Sequence, residues 1–195
     1  MTMTDERDYS DVLIGGVEKV EIRIVDYDPT WPGRFQDHAA KIRAALGDTA
    51  LRIEHIGSTS VPGLPAKPII DILLIVPNSA EESAYLNALE AVGYQLRVRE
   101  AAADHRMLRT LARDVHIHVY SSGCFEIERL LVFRDRLRQD ASEREIYTQT
   151  KRELAARDWW DMNAYADAKT QVIEGIIARS RAAKRDPADP ASEGA

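Results

Sequence analysis

Three observations predict an α+β fold. Apolar residues alternate or run in short β-branched stretches as far as Tyr120, their spacing turns helical from Phe125 onward, and no repeat of any period runs through the chain. With 195 residues against a prior of about 150 per domain, one globular unit with terminal extensions is expected. The folded unit is placed at residues 17–183. An acidic N-terminal extension over 1–16 and a tail over 184–195, rich in Asp, Pro and Ala, are expected to be disordered.

Val20, Ile22 and Ile24 alternate with Glu21 and Arg23, the period-two pattern of a half-buried strand. Thr30 is placed to cap a helix in which Phe35, Ala39, Ile42 and Leu46 share one face, with Gly47 as its stop. Leu51 to Ile56 reads as a short strand ending at Gly57. Ile69 to Val76 is too continuously apolar for a solvent-facing strand and belongs in the middle of a sheet. Ser79 and Glu82 have the spacing of a capping box, opening a helix through Leu86 and Leu89 that Gly93 closes. Tyr94–Val98, Met107–Leu111 and Val115–Tyr120 read as three further strands. Ile127, Leu130, Leu131 and Leu137 then form one helical face, Ile146 and Leu154 a second, and Met162, Tyr165, Ala166, Ile173, Ile176 and Ile177 a third. Trp31, Trp159 and Trp160 sit at helix starts as docking anchors. The expectation is a mixed sheet of five or six strands with two helices in its first half and a three-helix C-terminal layer.

Composition narrows the function. The longest apolar run, Pro68 to Pro77, contains Asp71 and falls well short of the roughly 18–20 residues that cross a bilayer. The N-terminal residues lack the order of a secretory signal, so a cytoplasmic protein is expected. The single Cys124 can neither close an internal disulfide nor form a Cys-x-x-Cys site. Net charge is −6 and no basic run is present, which argues against general nucleic-acid binding. A small phosphorylated ligand needs only a few local donors.

Those donors are clustered. A strand that ends in Gly57-Ser58-Thr59-Ser60 exposes backbone N–H groups and three hydroxyls without bulk, the local chemistry for wrapping phosphate oxygens. The bland alternative is a turn between two strands. Lys67 adds a positive charge, and Asp71 interrupts an apolar strand where an unpaired carboxylate would cost several kcal/mol by rough estimate. A divalent metal shared with a triphosphate, or a basic partner, must compensate it. Thirteen residues separate Ser58 from Asp71, enough to turn and return in the neighbouring strand. His116 and His118 flank Ile117, so both imidazoles project from one face and reach Asp71 if the strands are neighbours. His55, beside the loop, is a phosphate-orienting candidate. His38 and His105 have no comparable context, and Lys151-Arg152 reads as a wet helix face.

His55-Ile56-Gly57-Ser58-Thr59-Ser60-Val61-Pro62-Gly63-Leu64 followed by Lys67-Pro68-Ile69-Ile70-Asp71-Ile72 resembles the signature of the GrpB family, placed in the nucleotidyltransferase superfamily. The resemblance extends to Asp28-Pro29-Thr30-Trp31-Pro32, Phe35, His116-Ile117-His118-Val119, Phe133-Arg134-Asp135, Leu137-Arg138 and the pair Tyr165 and Lys169. It implies a nucleotidyltransferase-like mixed sheet flanked by helices, on which Gly57 and Ser58 hold a nucleoside triphosphate and acids on neighbouring strands hold magnesium. The superfamily's usual second acid would fall at Leu73, which cannot bind a metal, and His116 or His118 lies about where the third is expected. Imidazole shifts metal preference from Mg2+ toward Mn2+ or Zn2+.

The resemblance therefore implies an enzyme that transfers a nucleotidyl group to a small acceptor with a divalent metal. Asp71, His116 and His118 would serve as metal or acid–base groups. His55, Gly57, Ser58, Thr59, Ser60, Lys67, Arg134 and Lys169 would hold phosphates, with Tyr165 against a base. Two alternatives stand beside it: a nucleotide-binding module without catalysis, and a small-metabolite enzyme using the histidines as acid and base.

Overall fold

The computed structural model describes residues 11–16, 18, 22–157, 159 and 162–185. Its frame is a five-stranded sheet built from β1 (Arg52–Ile56), β2 (Ile70–Val76), β3 (Tyr94–Glu100), β4 (His105–Thr110) and β5 (Val115–Ser121). The strand order is β1-β2-β5-β4-β3. The β2/β5 pair is parallel and the other pairs are antiparallel. The apolar run of β2 takes an interior position, as expected of a strand covered on both faces. On one side lie α1 (Trp31–Leu46) and the short α2 (Leu86–Ala91). On the other lie α3 (Phe125–Gln139), α4 (Ala141–Ala155), α5 (Met162–Asp167) and α6 (Thr170–Arg185).

Strand alternation divides the chemistry between these faces. His55, Ile72, Ile117 and Leu108 are register partners across β1, β2, β5 and β4, and the last three join Trp31, Phe35, Ile42, Tyr85 and Leu89 in the main core. The neighbouring row, Leu73, His118, Met107 and Val98, faces the opposite way. Leu73, Ile56, Ile75 and Tyr120 pack there against Ile127, Leu130 and Leu131 of α3. A third cluster joins Val61 and Leu64, just past the Gly-Ser loop, to Phe133, Leu137, Tyr147, Ile176 and Ile177 of the C-terminal helices. The loop is thus held from both sides.

Several local expectations give way to longer-range contacts. Val20 and Glu21 lie outside the described residues, and the rest of that stretch is no strand. Val25 makes an isolated bridge to Ala66, while Ile24 lines a cavity, so the alternation serves a covering segment. Thr30 occupies the N-cap position of α1 without capping it, because its hydroxyl donates to Asp28 Oδ1 at 2.7 Å. The capping box fails for the same kind of reason. Ser79 Oγ donates to Asp104, and Glu82 is bound by Arg99 and Arg106, leaving a short 3-10 turn over Glu82–Ala84 before α2. The third helical face of the C-terminal layer is divided between α5 and α6. Trp31 is buried against Tyr27 and Trp159 Nε1 donates to Leu154 O, whereas Trp160 is outside the described residues.

At the inner end of the presumed N-terminal extension, Leu13 bridges Val98 and Ile14 N donates to Arg97 O, so residues 12–14 pair with β3. At the other end α6 continues to Arg185; residues 186–195 and 1–10 are outside the description. Among the described residues no helix is long and apolar enough to cross a membrane. Ile117 is fully buried on the central strand pair. Ile117→Ala is expected to cost about 2–5 kcal/mol of stability in urea unfolding, whereas Leu111→Ala, at a residue 76% exposed, should cost little.

Candidate functional site

Between the α3–α6 side of the sheet and those helices lies a cavity of about 450 Å3. Asp71 and His116 are register partners on the parallel β2/β5 pair, and His118 is two residues further along β5 on the same face. Asp71 Oδ1 is 3.6 Å from His116 Nδ1 and 3.6 Å from His118 Nε2. Both separations exceed the 2.7–3.2 Å of a direct N–H···O bond. One ligand atom from each of the three side chains lies within 4.8 Å of the others. Bonds of about 2.1 Å in tetrahedral array put ligand atoms roughly 3.4 Å apart, so the spacing leaves room for one ion. Two imidazoles and one carboxylate form a donor set suited to zinc, manganese or iron. Protonation agrees with this. Burial pushes His116 down to about 4, with Asp71 pulling the other way. Burial raises the Asp71 pKa, but His118, His116 and Lys67 outweigh it and hold the carboxyl below its usual range.

The Gly-Ser loop forms the adjoining wall. Gly57 has φ +67° and ψ −174°, a backbone region that essentially only glycine occupies. A Cβ there would stand 2.3 Å from Asp71 Oδ2. Glycine is therefore required twice, for the turn and for the approach of the carboxylate. Gly57, Ser58 and Thr59 line the cavity, as do Lys67, Tyr165 and Lys169.

Three lysines converge on this end. Lys67 Nζ lies 5.1 Å and Lys169 Nζ 4.5 Å from the Tyr165 ring centre, and Lys151 Nζ sits 4.8 Å from that of Tyr147. Lys151 donates to Ser58 Oγ at 3.3 Å and to Pro65 O. Among the described residues none of the three forms an ion pair with a carboxylate. Burial, aided by Lys67, pushes Lys169 down to about 7, and burial with Lys169 and Arg152 does the same to Lys151. Burial also lowers Lys67, against the pull of Asp71. The buried Tyr165 hydroxyl has no hydrogen-bond partner among the described residues. One buried and two half-buried ammonium groups without carboxylate partners among the described residues, beside an orphaned hydroxyl, make this end of the cavity one that an anion would fit.

Three candidates, His55, Ser60 and Arg134, lie elsewhere. His55 is on the opposite face of the sheet, stacked on Phe35 at 4.7 Å with planes 5° apart. Thr59 Oγ1 donates to Ile69 O and therefore accepts from His55 Nε2 at 3.1 Å. Burial pushes His55 down to about 4, so the neutral ring anchors the loop from the face opposite the cavity. Ser60 spends its hydroxyl on Gly57 O at 2.7 Å and faces a separate outer groove. Arg134 lies in that groove too, bonded to Glu54 Oε2 at 2.7 Å and His55 O at 3.1 Å. Arg138 donates to Ser60 O at 2.9 Å. Strand alternation and the orientation of α3 put these arginines behind the loop, where they clamp the carbonyls at its two ends.

Two contributors escaped the sequence reading. Lys151 is only 2% exposed; its one signal is the spacing Glu143, Tyr147, Lys151, Leu154 along α4, a buried stripe that includes charges. His105 Nε2 lies 3.1 Å from His118 Nδ1, because β4 pairs His105 with Tyr120 and Met107 with His118. The strand pattern of β4 alone did not fix that register. His38, bonded to Tyr94 OH at 2.7 Å, stays a packing residue.

A five-stranded mixed sheet flanked by helices, with a Gly-Ser loop beside an acid on the neighbouring strand, defines the α+β class of the domain. The chain belongs to the GrpB family: the family model described as GrpB protein matches residues 21–179. A UPF0157 protein of Halalkalibacterium halodurans is 46% identical over 182 residues, 92% of this chain and 93% of that protein. The crystal structure of the conserved protein GrpB from Enterococcus faecalis superposes with a TM-score of 0.70 at 30% identity, covering 84% of this chain and 99% of that one. Cid1 poly(U) polymerase shares the fold, with a TM-score of 0.51 at 14% identity over 69% of this chain and 45% of its own.

Gly57→Ala is expected to lower stability by about 1–3 kcal/mol through backbone strain and to displace Asp71. The measurement is urea unfolding together with Mn2+ titration of the folded protein: divalent-ion affinity should drop, while Gly63→Ala, also at positive φ but with open space around it, should leave it unchanged.

Proposed function

We propose that the protein is a metal-dependent nucleotidyltransferase that uses a nucleoside triphosphate and a small acceptor. The observation that carries this reading is the placement of Asp71, His116 and His118 beside the Gly57–Ser58 turn, with Lys67, Lys151 and Lys169 around the same cavity and, among the described residues, without carboxylate partners. Asp71, His116 and His118 would hold a divalent ion, which supplies charge neutralisation at the phosphoryl oxygens. The loop amides and Ser58 Oγ hold the β- and γ-phosphates, and the lysines neutralise the pyrophosphate as it leaves. The acceptor's oxygen or nitrogen forms a bond to the α-phosphorus and releases its proton to water, while the bond from that phosphorus to the bridging oxygen breaks and pyrophosphate leaves. Positioning and electrostatics do most of this work. The net-acidic chain and the walled cavity favour a small acceptor over a polynucleotide, and the expected setting is the cytoplasm.

A second reading has its own observation. Leu73, at the position of the usual second acid, is fully buried in an apolar cluster. That supports a module which binds nucleotide without transferring it. Pyrophosphate release with a panel of small acceptors separates the two.

Two outcomes are expected in solution. A nucleoside triphosphate with Mn2+ should raise the melting temperature by several degrees; Asp71→Ala should abolish the metal-dependent part of that shift, and Lys151→Ala the nucleotide-dependent part. Binding should also weaken with pH. Lys151 and Lys169 titrate near 7, so between pH 7 and pH 9 they lose the charge that a bound polyphosphate needs. Triphosphate affinity measured by calorimetry without metal should fall across that window, and Lys169→Arg should flatten the fall.

A further inference from the structure

The triad continues into a hydrogen bond between two imidazoles and, beyond it, an ion-pair contact to a carboxylate, neither of which its own role requires. His118 Nδ1 faces His105 Nε2 at 3.1 Å, and His105 Nδ1 faces Glu100 Oε2 at 3.5 Å. The two imidazole planes are 9° apart with centroids separated by 5.3 Å. The bonded nitrogens therefore lie between the centroids, in the geometry of an in-plane N–H···N bond. Tyr120 stacks on His105 at 4.8 Å and fixes the ring. These residues share one face because Tyr120, His105 and Glu100 are register partners across β5, β4 and β3.

Both ends of the chain, Asp71 and Glu100, are carboxylates, which only accept, so its direction is set by what occupies the triad. A divalent ion on His118 Nε2, the nitrogen that faces Asp71 Oδ1 at 3.6 Å, would leave the proton of that ring on Nδ1. His105 Nε2 would then accept from His118 Nδ1, and the proton of His105 would lie on Nδ1, toward Glu100 Oε2.

Resting on the metal-dependent reading above, we infer that His105 and Glu100 are positioning residues: they hold His118 in the Nδ1–H tautomer, with Nε2 presented to a divalent ion beside Asp71. Such outer partners of a ligating histidine change metal affinity by about 10–100-fold when removed.

The test uses the full chain. In the protein loaded with Zn2+, nitrogen-15 correlation spectra of the histidine rings should show His118 protonated at Nδ1 and bound to the metal through Nε2; a His118 that binds through Nδ1 overturns the inference. Calorimetric titration with Zn2+ and Mn2+ should then show a loss of about 10–100-fold for His105→Ala. His105→Gln, whose amide oxygen can accept from His118 Nδ1, should recover most of that loss. Metal affinity of His105→Ala within twofold of the wild type, or a His105→Gln variant as weak as His105→Ala while both melt as the wild type does, overturns the positioning role and leaves the triad standing. A wild-type protein that binds neither ion overturns the metal-dependent reading itself, whatever tautomer His118 adopts.

Discussion

A carboxylate placed among fully buried aliphatics is the constraint from which the rest of the structure follows. Asp71 sits on β2 between Ile70 and Ile72, both without solvent exposure, and its charge must be met by neighbours. The parallel pairing of β2 with β5 brings His116 alongside and His118 one step beyond. On its other side the carboxylate presses so closely on residue 57 that only glycine fits. The fold is arranged around that approach: β1 ends where Gly57 begins, and two arginines of α3 hold the carbonyls of His55 and Ser60. From the opposite face of the sheet, His55 ties down Thr59.

The cationic end of the cavity obeys the same logic with the sign reversed. Lys151 and Lys169 are held where burial favours their neutral form, a cost that a polyanion would relieve. Tyr147 and Tyr165 place π faces against the ammonium groups, which softens their desolvation without neutralising them. An acid with its imidazoles at one point, and at another ammonium groups that pair with no carboxylate among the described residues, give the cavity the two poles that the proposed metal-bound polyphosphate would require. Similarity to Cid1 establishes the fold and leaves the chemistry to this chain's own residues.

Much of this was legible in the sequence, and the limits were physical. The β-branched run of β2, the alternation of β5 and the isolated Asp71 carry enough local signal to predict one strand with an acid and another with two imidazoles on one face; that the two are neighbours, with Asp71 beside His116, is fixed by the fold. The Gly57–Ser60 turn was equally visible, yet only Gly57, Ser58 and Thr59 reach the cavity. Which hydroxyl faces inward is decided by bonds to Gly57 O and Ile69 O that no spacing encodes. Ser79 and Glu82 show how a local motif is outcompeted, since Asp104, Arg99 and Arg106 offer them stronger distant partners. Lys151 and His105 were missed because their roles depend on the packing of α4 and on the register of β4 against β5. Both are properties of the assembled fold.

The most direct test of the central claim is a crystal structure of the protein grown with Mn2+ and a non-hydrolysable nucleoside triphosphate, with anomalous scattering collected at a wavelength that identifies manganese. The account predicts one anomalous peak bonded to Asp71, His116 and His118, with phosphate density running from it toward Ser58 and the three lysines. An ion bound elsewhere, or phosphates seated in the outer groove beside Arg134 and Arg138 with the triad closed on itself, would contradict it.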